Sequence, residues 1–351
     1  MRAVLLTRRL DDKPTNGFER YAHNLYYGLR SLGADVGLIN QDSPLPVRPS
    51  SSLISPPYYD IILPLLRLPR KMFRADLYHA LTDSQAVLFP FLKGKKVVTI
   101  HHVDLTPPGS PSEAVFRRFY TLGTELAVRY ADHFICISEQ TKKELMEHYR
   151  VREEDITVVL QSISPLCRPM AKTGRAVGYF GALKKRKNVE FLIRAFAIMQ
   201  ERHRMPECRL IICGEGPDKD WLMSLARELG VGSLVDFKGE ILEDRITETY
   251  NSFTVFGFPS LQEGFGVPIL EAQACGVPVL TLEGAMVPHE VTRHAIPCRD
   301  EADMAEKMHW LLTDDEAREK VVREGIEYAS SFSGAAVSER TLRVYEKVLG
   351  E

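Results

Sequence analysis

Short apolar runs alternate along most of this chain with longer segments of helical period. RAVLLT (2–7) predicts a strand, and FERYAHNLYYGLRSL (18–32) a helix closed by Gly33. DVGLIN (35–40), DLYHAL (76–81), KVVTIHH (96–102) and DHFICIS (132–138) predict further strands. Helical period returns from about Ser112 to Tyr130 and from about Glu139 to Tyr149. QSISPLCRPMAKT (161–173) has two prolines and no period, and reads as an interdomain linker. The alternation then restarts with strands at AVGYFGAL (176–183), CRLIICG (208–214), LVDFKG (234–239) and TVFGFPS (254–260). Helices are expected at 189–200, at 219–230, from Pro268 onward and through the charged final segment 316–349. Strands alternating with helices call for parallel sheets covered on both faces. The expected fold class is α/β, two doubly wound Rossmann-like domains, with ligands outside the carboxyl ends of the strands and so in the cleft between them.

Composition narrows the classes. At 351 residues the length suits two domains, and 44% hydrophobic with 26% charged residues is the balance of a globular protein. A formal net charge of −2 argues against a nucleic-acid binder held mainly by phosphate contacts. No stretch approaches the roughly 20 apolar residues of a membrane span. The opening MRAVLLTRRL meets charge too soon for a signal-peptide core, so a cytoplasmic protein is expected. The six cysteines form no C-x-x-C pair and suit neither a zinc framework nor a disulfide scaffold, so buried thiols are expected.

The most informative stretch is PSLQEGFGVPILEAQACGVPVL (259–280). Gly264 and Gly266 offer closely approachable backbone, Pro268 suits a first helical turn, and Gly276 a C-terminal cap. A glycine-bearing loop feeding a helix N-terminus favours an anion. Glu263 before the helix and Glu271 inside it could accept hydrogen bonds from sugar hydroxyls while the N–H groups hold phosphate. EGFGVPILEAQACGVPV resembles the signature of the retaining nucleotide-sugar glycosyltransferases of GT-B architecture, specifically glycosyltransferase family 4. The resemblance implies that Glu263 and the backbone of Gly264, Phe265 and Gly266 hold the donor sugar and its phosphate, and that Glu271 binds the ribose hydroxyls.

FGALKKRKNVEFLIRAF (180–196) is similar to the family's G-x-L-x-x-R-K-N variant, with Ala182 where many members carry Arg. Arg186 and Lys187 then project near a strand's carboxyl end, where two cations can neutralise a diphosphate leaving group. CGEGP (213–217) matches the family's glycine turn through Gly214, and the Lys238–Gly239–Glu240 turn is expected to contact the base through its backbone.

In the first domain, Asn16–Gly17 leads into a helix and resembles the family's N-terminal glycine loop, with close approach assured only at Gly17. His101, ending an apolar strand, matches the family's donor-positioning histidine and is grouped with Lys187 and Glu263 as catalytic; His102 stands where Asp is usual, and Asp104 is its possible replacement. Ser138 is a natural N-cap and, by resemblance, faces the acceptor. His79, His289 and His294 read as structural. Two basic, apolar stretches, LRLPRKMFR (66–74, with Arg67, Arg70, Lys71 and Arg74) and EAVFRRFY (113–120, with Phe116, Arg117, Arg118 and Phe119), suit either a solvated helix face or peripheral contact with anionic lipid at the inner face of a membrane.

The resemblance implies domains at 1–165, rejoined by a final helix at about 333–351, and at 172–332. It further implies a retaining transferase needing no metal and no cofactor. The donor would be a nucleotide-diphosphate sugar, GDP-mannose first and UDP-glucose second, and the acceptor a glycan or lipid-linked molecule in polysaccharide or glycolipid synthesis. A non-catalytic nucleotide-sugar-binding subunit, or a phosphorylase or epimerase of the same architecture, would carry the same phosphate cradle. A dinucleotide-dependent oxidoreductase is disfavoured, because no G-x-G-x-x-G follows the first strand.

Overall fold

The computed structural model describes residues 1–7, 10, 17–39, 74–103, 111–171 and 174–351; within the helix Pro111–Tyr130 the side chains of 111–117 and 119–120 lie outside the description. The expectations for Asn16, Asp104, residues 66–73 and the aromatic and basic side chains of 113–117 and 119–120 therefore fall outside the described residues. Two compact units emerge: Met1–Gln161 with Gly334–Glu351, and Ser162–Ser333.

The first unit is built on six parallel strands: β1 (Arg2–Leu6), β2 (Asp35–Ile39), β3 (Arg74–Ala80), β4 (Lys93–Ile100), β5 (His133–Cys136) and β6 (Ile156–Val158). Their order in the sheet is β2-β1-β3-β4-β5-β6. The order reverses between β1 and β3, so a crevice opens past their carboxyl ends. The strands are nearly continuous apolar runs because both faces are covered: β5 is buried throughout, and β1 exposes only Arg2. A 3-10 segment, Asp83–Phe91, and the short β6 were not signalled by periodicity, being too brief to show one.

The final helical segment is two helices, Asp315–Ser330 and Gly334–Leu349, parted at residues 331–333. The second helix packs on Gly17–Ser31 in the first unit, so closely that a Cβ on Gly28 would lie 2.0 Å from Ser338 Oγ. Tyr345 Oη reaches buried His79 Nδ1 at 2.6 Å, while His79 Nε2 meets Thr99 Oγ1 at 2.8 Å and Thr99 meets Tyr21 Oη at 2.9 Å. His79 is thus a satisfied core histidine.

Burial pushes three histidines of this unit below their ordinary 6.5: His79 to about 3, and His101 and His133 to about 4. Between about pH 4 and 6.5 the unfolded chain takes up protons that the folded unit refuses, so stability rises with pH across that window and is complete above it. Both tryptophans, Trp221 and Trp310, lie in the other unit. Lowering the pH from 7 to 5 should therefore lower the thermal midpoint seen by far-ultraviolet dichroism more than the midpoint seen by tryptophan fluorescence. Coincident shifts would show that the buried histidines do not set the acid response.

The second unit holds β7 (Ala176–Phe180), β8 (Arg209–Cys213), β9 (Val235–Gly239), β10 (Val255–Phe258), β11 (Val279–Leu282) and β12 (Ile296–Cys298), again all parallel. The order is β12-β11-β10-β7-β8-β9, reversing between β7 and β10. Its core joins Val177, Tyr179, Phe196, Leu210, Ile212 and Val255 to Met304, Met308 and Leu311 of the helix Glu301–Thr313. Each such side chain contributes about 1.5–3 kcal/mol by leaving water. All six cysteines are thiols, five buried and Cys167 half-buried. Among the described residues no helix is long and apolar enough to cross a membrane.

Candidate active site

The second sheet's reversal point places the ends of β7 and β10 side by side, and the charged residues gather there. Past β7 the chain makes a 3-10 turn, Lys185–Lys187, then enters the helix Val189–His203 through Asn188 at φ 53° and ψ 38°. Asn tolerates this left-handed conformation better than most residues. Past β10 the chain runs through Ser260 to Glu263, and the two loops are stitched together by the Leu261 N–H donating to the Arg186 carbonyl at 2.9 Å. A third loop joins from beyond β11, where the Met286 N–H donates to the Leu261 carbonyl and the Glu263 N–H to the Met286 carbonyl, both at 2.9 Å.

Glu263 sits at the centre. Lys187 Nζ lies 2.5 Å from its Oε1, and Arg186 Nη1 lies 3.3 Å from its Oε2 while donating to the Gln262 carbonyl at 2.8 Å. The side chains of Lys187 and Glu263 are 12% and 8% exposed, whereas Arg186 is 55% exposed. Lys187 also stands 5.5 Å from the centroid of the Phe258 ring. Burial pushes the Lys187 ammonium below its ordinary range, opposed by the adjoining Glu263 carboxylate. Two cations against one carboxylate leave one positive charge in surplus, beside the helix Val267–Ala274 with Gly266 as its N-cap and Pro268 in its first turn. Surplus cation and helix N-terminus together favour an anion.

The other expected residues divide. Gly264, Phe265 and Gly266 lie between Glu263 and the helix, but the Phe265 side chain is buried, 6.3 Å centroid to centroid from Phe332, and belongs to the core. Glu271 does not join the Glu263 cluster. It is fully buried, with Oε2 accepting from Tyr250 Oη at 3.0 Å and Oε1 facing the Ser164 N–H at 3.4 Å. A ribose would have to displace the Ser164 amide to reach it. Gly214 is explained by backbone packing: a Cβ there would lie 1.9 Å from the Gly181 carbonyl oxygen, and its N–H donates to the Gly239 carbonyl at 2.7 Å. Lys238 is exposed at the end of β9.

In the first unit Gly17 opens the helix Gly17–Ser31, with no atom of the described residues within 4 Å of where a Cβ would stand. His101 follows β4, 8% exposed, with Nε2 donating to the Leu81 carbonyl at 2.8 Å and Nδ1 accepting from Gln161 Nε2 at 2.9 Å. A carbonyl can only accept, so Nε2 carries the proton and both ring nitrogens are engaged. The ring packs edge-to-face with Phe18 and Tyr21 at 4.9 and 5.0 Å. His101 is a neutral, fully bonded imidazole in this structure, not a proton carrier aimed at open space. Ser138 is buried and caps Glu139–Tyr149, its Oγ accepting from the Thr141 N–H at 3.1 Å. Sequence reasoning missed Ser260, Met286, Ser164, Tyr250 and Gln161, whose contacts span loops from different parts of the chain; only Ser260, three residues before Glu263, stood within a motif.

The family model described as Glycosyl transferases group 1 matches residues 169–328, and the model described as Glycosyltransferase Family 4 matches residues 15–164. Together they take in most of the chain. The chain belongs to the family 4, group 1 glycosyltransferases. Among curated members it is 28% identical over 244 residues to a D-inositol 3-phosphate glycosyltransferase of Corynebacterium kroppenstedtii, covering 62% of this chain and 54% of that one. The chain spans about half the length of the curated relatives it matches. Solved structures share the family's GT-B fold along the whole chain. A sucrose-phosphate synthase from Thermosynechococcus elongatus superposes with TM-score 0.75 at 18% identity, covering 99% of both chains. Anabaena HepE in complex with UDP-glucose gives TM-score 0.71 at 18% identity, covering 99% of this chain and 100% of that one. The two parallel six-stranded sheets are the Rossmann-like halves of this fold.

Proposed function

We propose that this chain is a retaining glycosyltransferase that moves a hexose from a nucleotide-diphosphate sugar to a hydroxyl of a glycan or lipid-linked acceptor, in the cytoplasm or at the inner face of a membrane. The observation that carries the reading is the surplus positive charge of Lys187 and Arg186 over Glu263 at the N-terminus of Val267–Ala274. In the proposed reaction the acceptor oxygen bonds to the anomeric carbon on the face that the leaving group vacates. The bond from that carbon to the β-phosphate oxygen breaks, and the departing diphosphate takes the acceptor's proton. Lys187, Arg186 and the helix N-terminus stabilise the charge developing on that oxygen, so the protein's own cations supply the electrostatics. Glu263 would receive sugar hydroxyls, and Glu271 the ribose after Ser164 moves aside. His101, held by Leu81 and Gln161, would shape the sugar's surroundings, with Gly17 against the donor phosphates and Ser138 on the acceptor side. Backbone at Gly264–Gly266 and at Lys238–Gly239 would meet the phosphate and base, and Gly214 would keep their loops in register.

GDP-mannose and UDP-glucose are the candidate donors, and a structural neighbour's complex with UDP-glucose supports the second. A thermal-shift panel of UDP-, GDP- and ADP-sugars is expected to single out one base. A donor at a hundred times its dissociation constant adds about 2.7 kcal/mol to the folded state, a shift of a few degrees. Nucleotide diphosphate release with that donor and an acceptor mixture including inositol 3-phosphate then tests transfer. No shift and no release with any sugar nucleotide would end the reading.

A further inference from the structure

Glu263 is held by more than its two cations. Ser260 lies just past β10, is 1% exposed, and brings its Oγ to 2.5 Å from Glu263 Oε1, the oxygen that Lys187 Nζ also reaches at 2.5 Å. The Gln262 and Arg186 carbonyls lie farther from the same hydroxyl, at 3.3 and 3.4 Å. A serine hydroxyl has one proton to give, and the short contact to a carboxylate is the stronger claim on it. The chain just past Ser260 is also fixed, by the Leu261 N–H on the Arg186 carbonyl and the Glu263 N–H on the Met286 carbonyl.

An incoming diphosphate draws the Lys187 ammonium toward itself. Arg186, at 3.3 Å and 55% exposed, compensates Glu263 weakly. A carboxylate only 8% exposed would then lose its main partner, which is costly for a buried charge. We infer that Ser260 is a positioning residue for Glu263, its hydroxyl holding the carboxylate in place while Lys187 engages the diphosphate. The inference rests on the reading of this site as a donor-diphosphate cradle.

The test compares wild type, Ser260→Ala and Ser260→Thr in kcat and donor KM for nucleotide diphosphate release from UDP-glucose and GDP-mannose, with unfolding followed by tryptophan fluorescence. Ser260→Ala is expected to lower kcat about ten- to a hundredfold with little change in donor KM. Ser260→Thr, which keeps the hydroxyl, should restore most of the rate. Wild-type kcat in Ser260→Ala overturns the inference alone. So does a kcat that falls only in step with the unfolding midpoint, or a threonine variant as impaired as alanine. A wild type that releases nothing from either donor overturns the cradle reading, and this inference with it.

Discussion

Replacing Lys187 with alanine is expected to cut nucleotide diphosphate release by about a hundred- to a thousandfold, the loss typical of removing one donor that meets charge developing in a transition state. The position explains the size. Lys187 is nearly buried, so its ammonium acts where water screens little, and neighbouring Arg186 is too exposed to replace it. The substitution also weakens the pairing of a buried carboxylate. Ser260 and Arg186 still contact Glu263, so the stability loss should stay near 1–3 kcal/mol. Tryptophan-monitored unfolding separates the two effects, and Lys187→Arg should retain the charge while misplacing it. Full turnover in Lys187→Ala would remove the diphosphate role from this residue.

Gly214→Ala should damage the fold itself. A Cβ at this position meets the Gly181 carbonyl oxygen at 1.9 Å and its carbon at 2.8 Å, both backbone atoms that cannot rotate away. The residue also holds φ +134°, where side chains are rarely accommodated. Overpacking and backbone strain together predict a loss of about 3 kcal/mol or more. Because the loops after β7 and β8 must part to admit the methyl group, the turn carrying Arg186 and Lys187 should shift with them. Urea unfolding followed by tryptophan fluorescence measures the second unit, and an unchanged midpoint would show that these loops open freely. Gly216, whose Cβ would lie 2.1 Å from the Leu183 carbonyl oxygen, should behave alike.

The two glycines illustrate how far a motif can be read. G-x-G after a strand suggests backbone left open for a ligand, yet here the vacant volume is filled by the neighbouring loop of the same sheet. Glu271 makes the same point with opposite polarity. Seven residues separate it from Glu263, yet its helix sets it against Tyr250 and Ser164 rather than against the Glu263 cluster. His101 was legible as a strand-end histidine; its tautomer and full hydrogen bonding come from Leu81 and Gln161, which are 20 and 60 positions away. Ser138 is the contrasting case, since an N-cap depends on a few neighbouring residues, here Ser138 to Thr141, and was readable as such.

By itself the sequence determined the alternation of strand and helix, the parallel sheets that alternation requires, and the family. Each of these is written in neighbouring residues, because hydrophobic period, cap chemistry and glycine turns act over a few positions. Only the tertiary structure decided which charges meet. Lys187 and Glu263 are 76 positions apart, and they pair because β10 is laid beside β7 with β8 and β9 on the far side. Strand order is fixed by the packing of whole layers, and no local pattern encodes it.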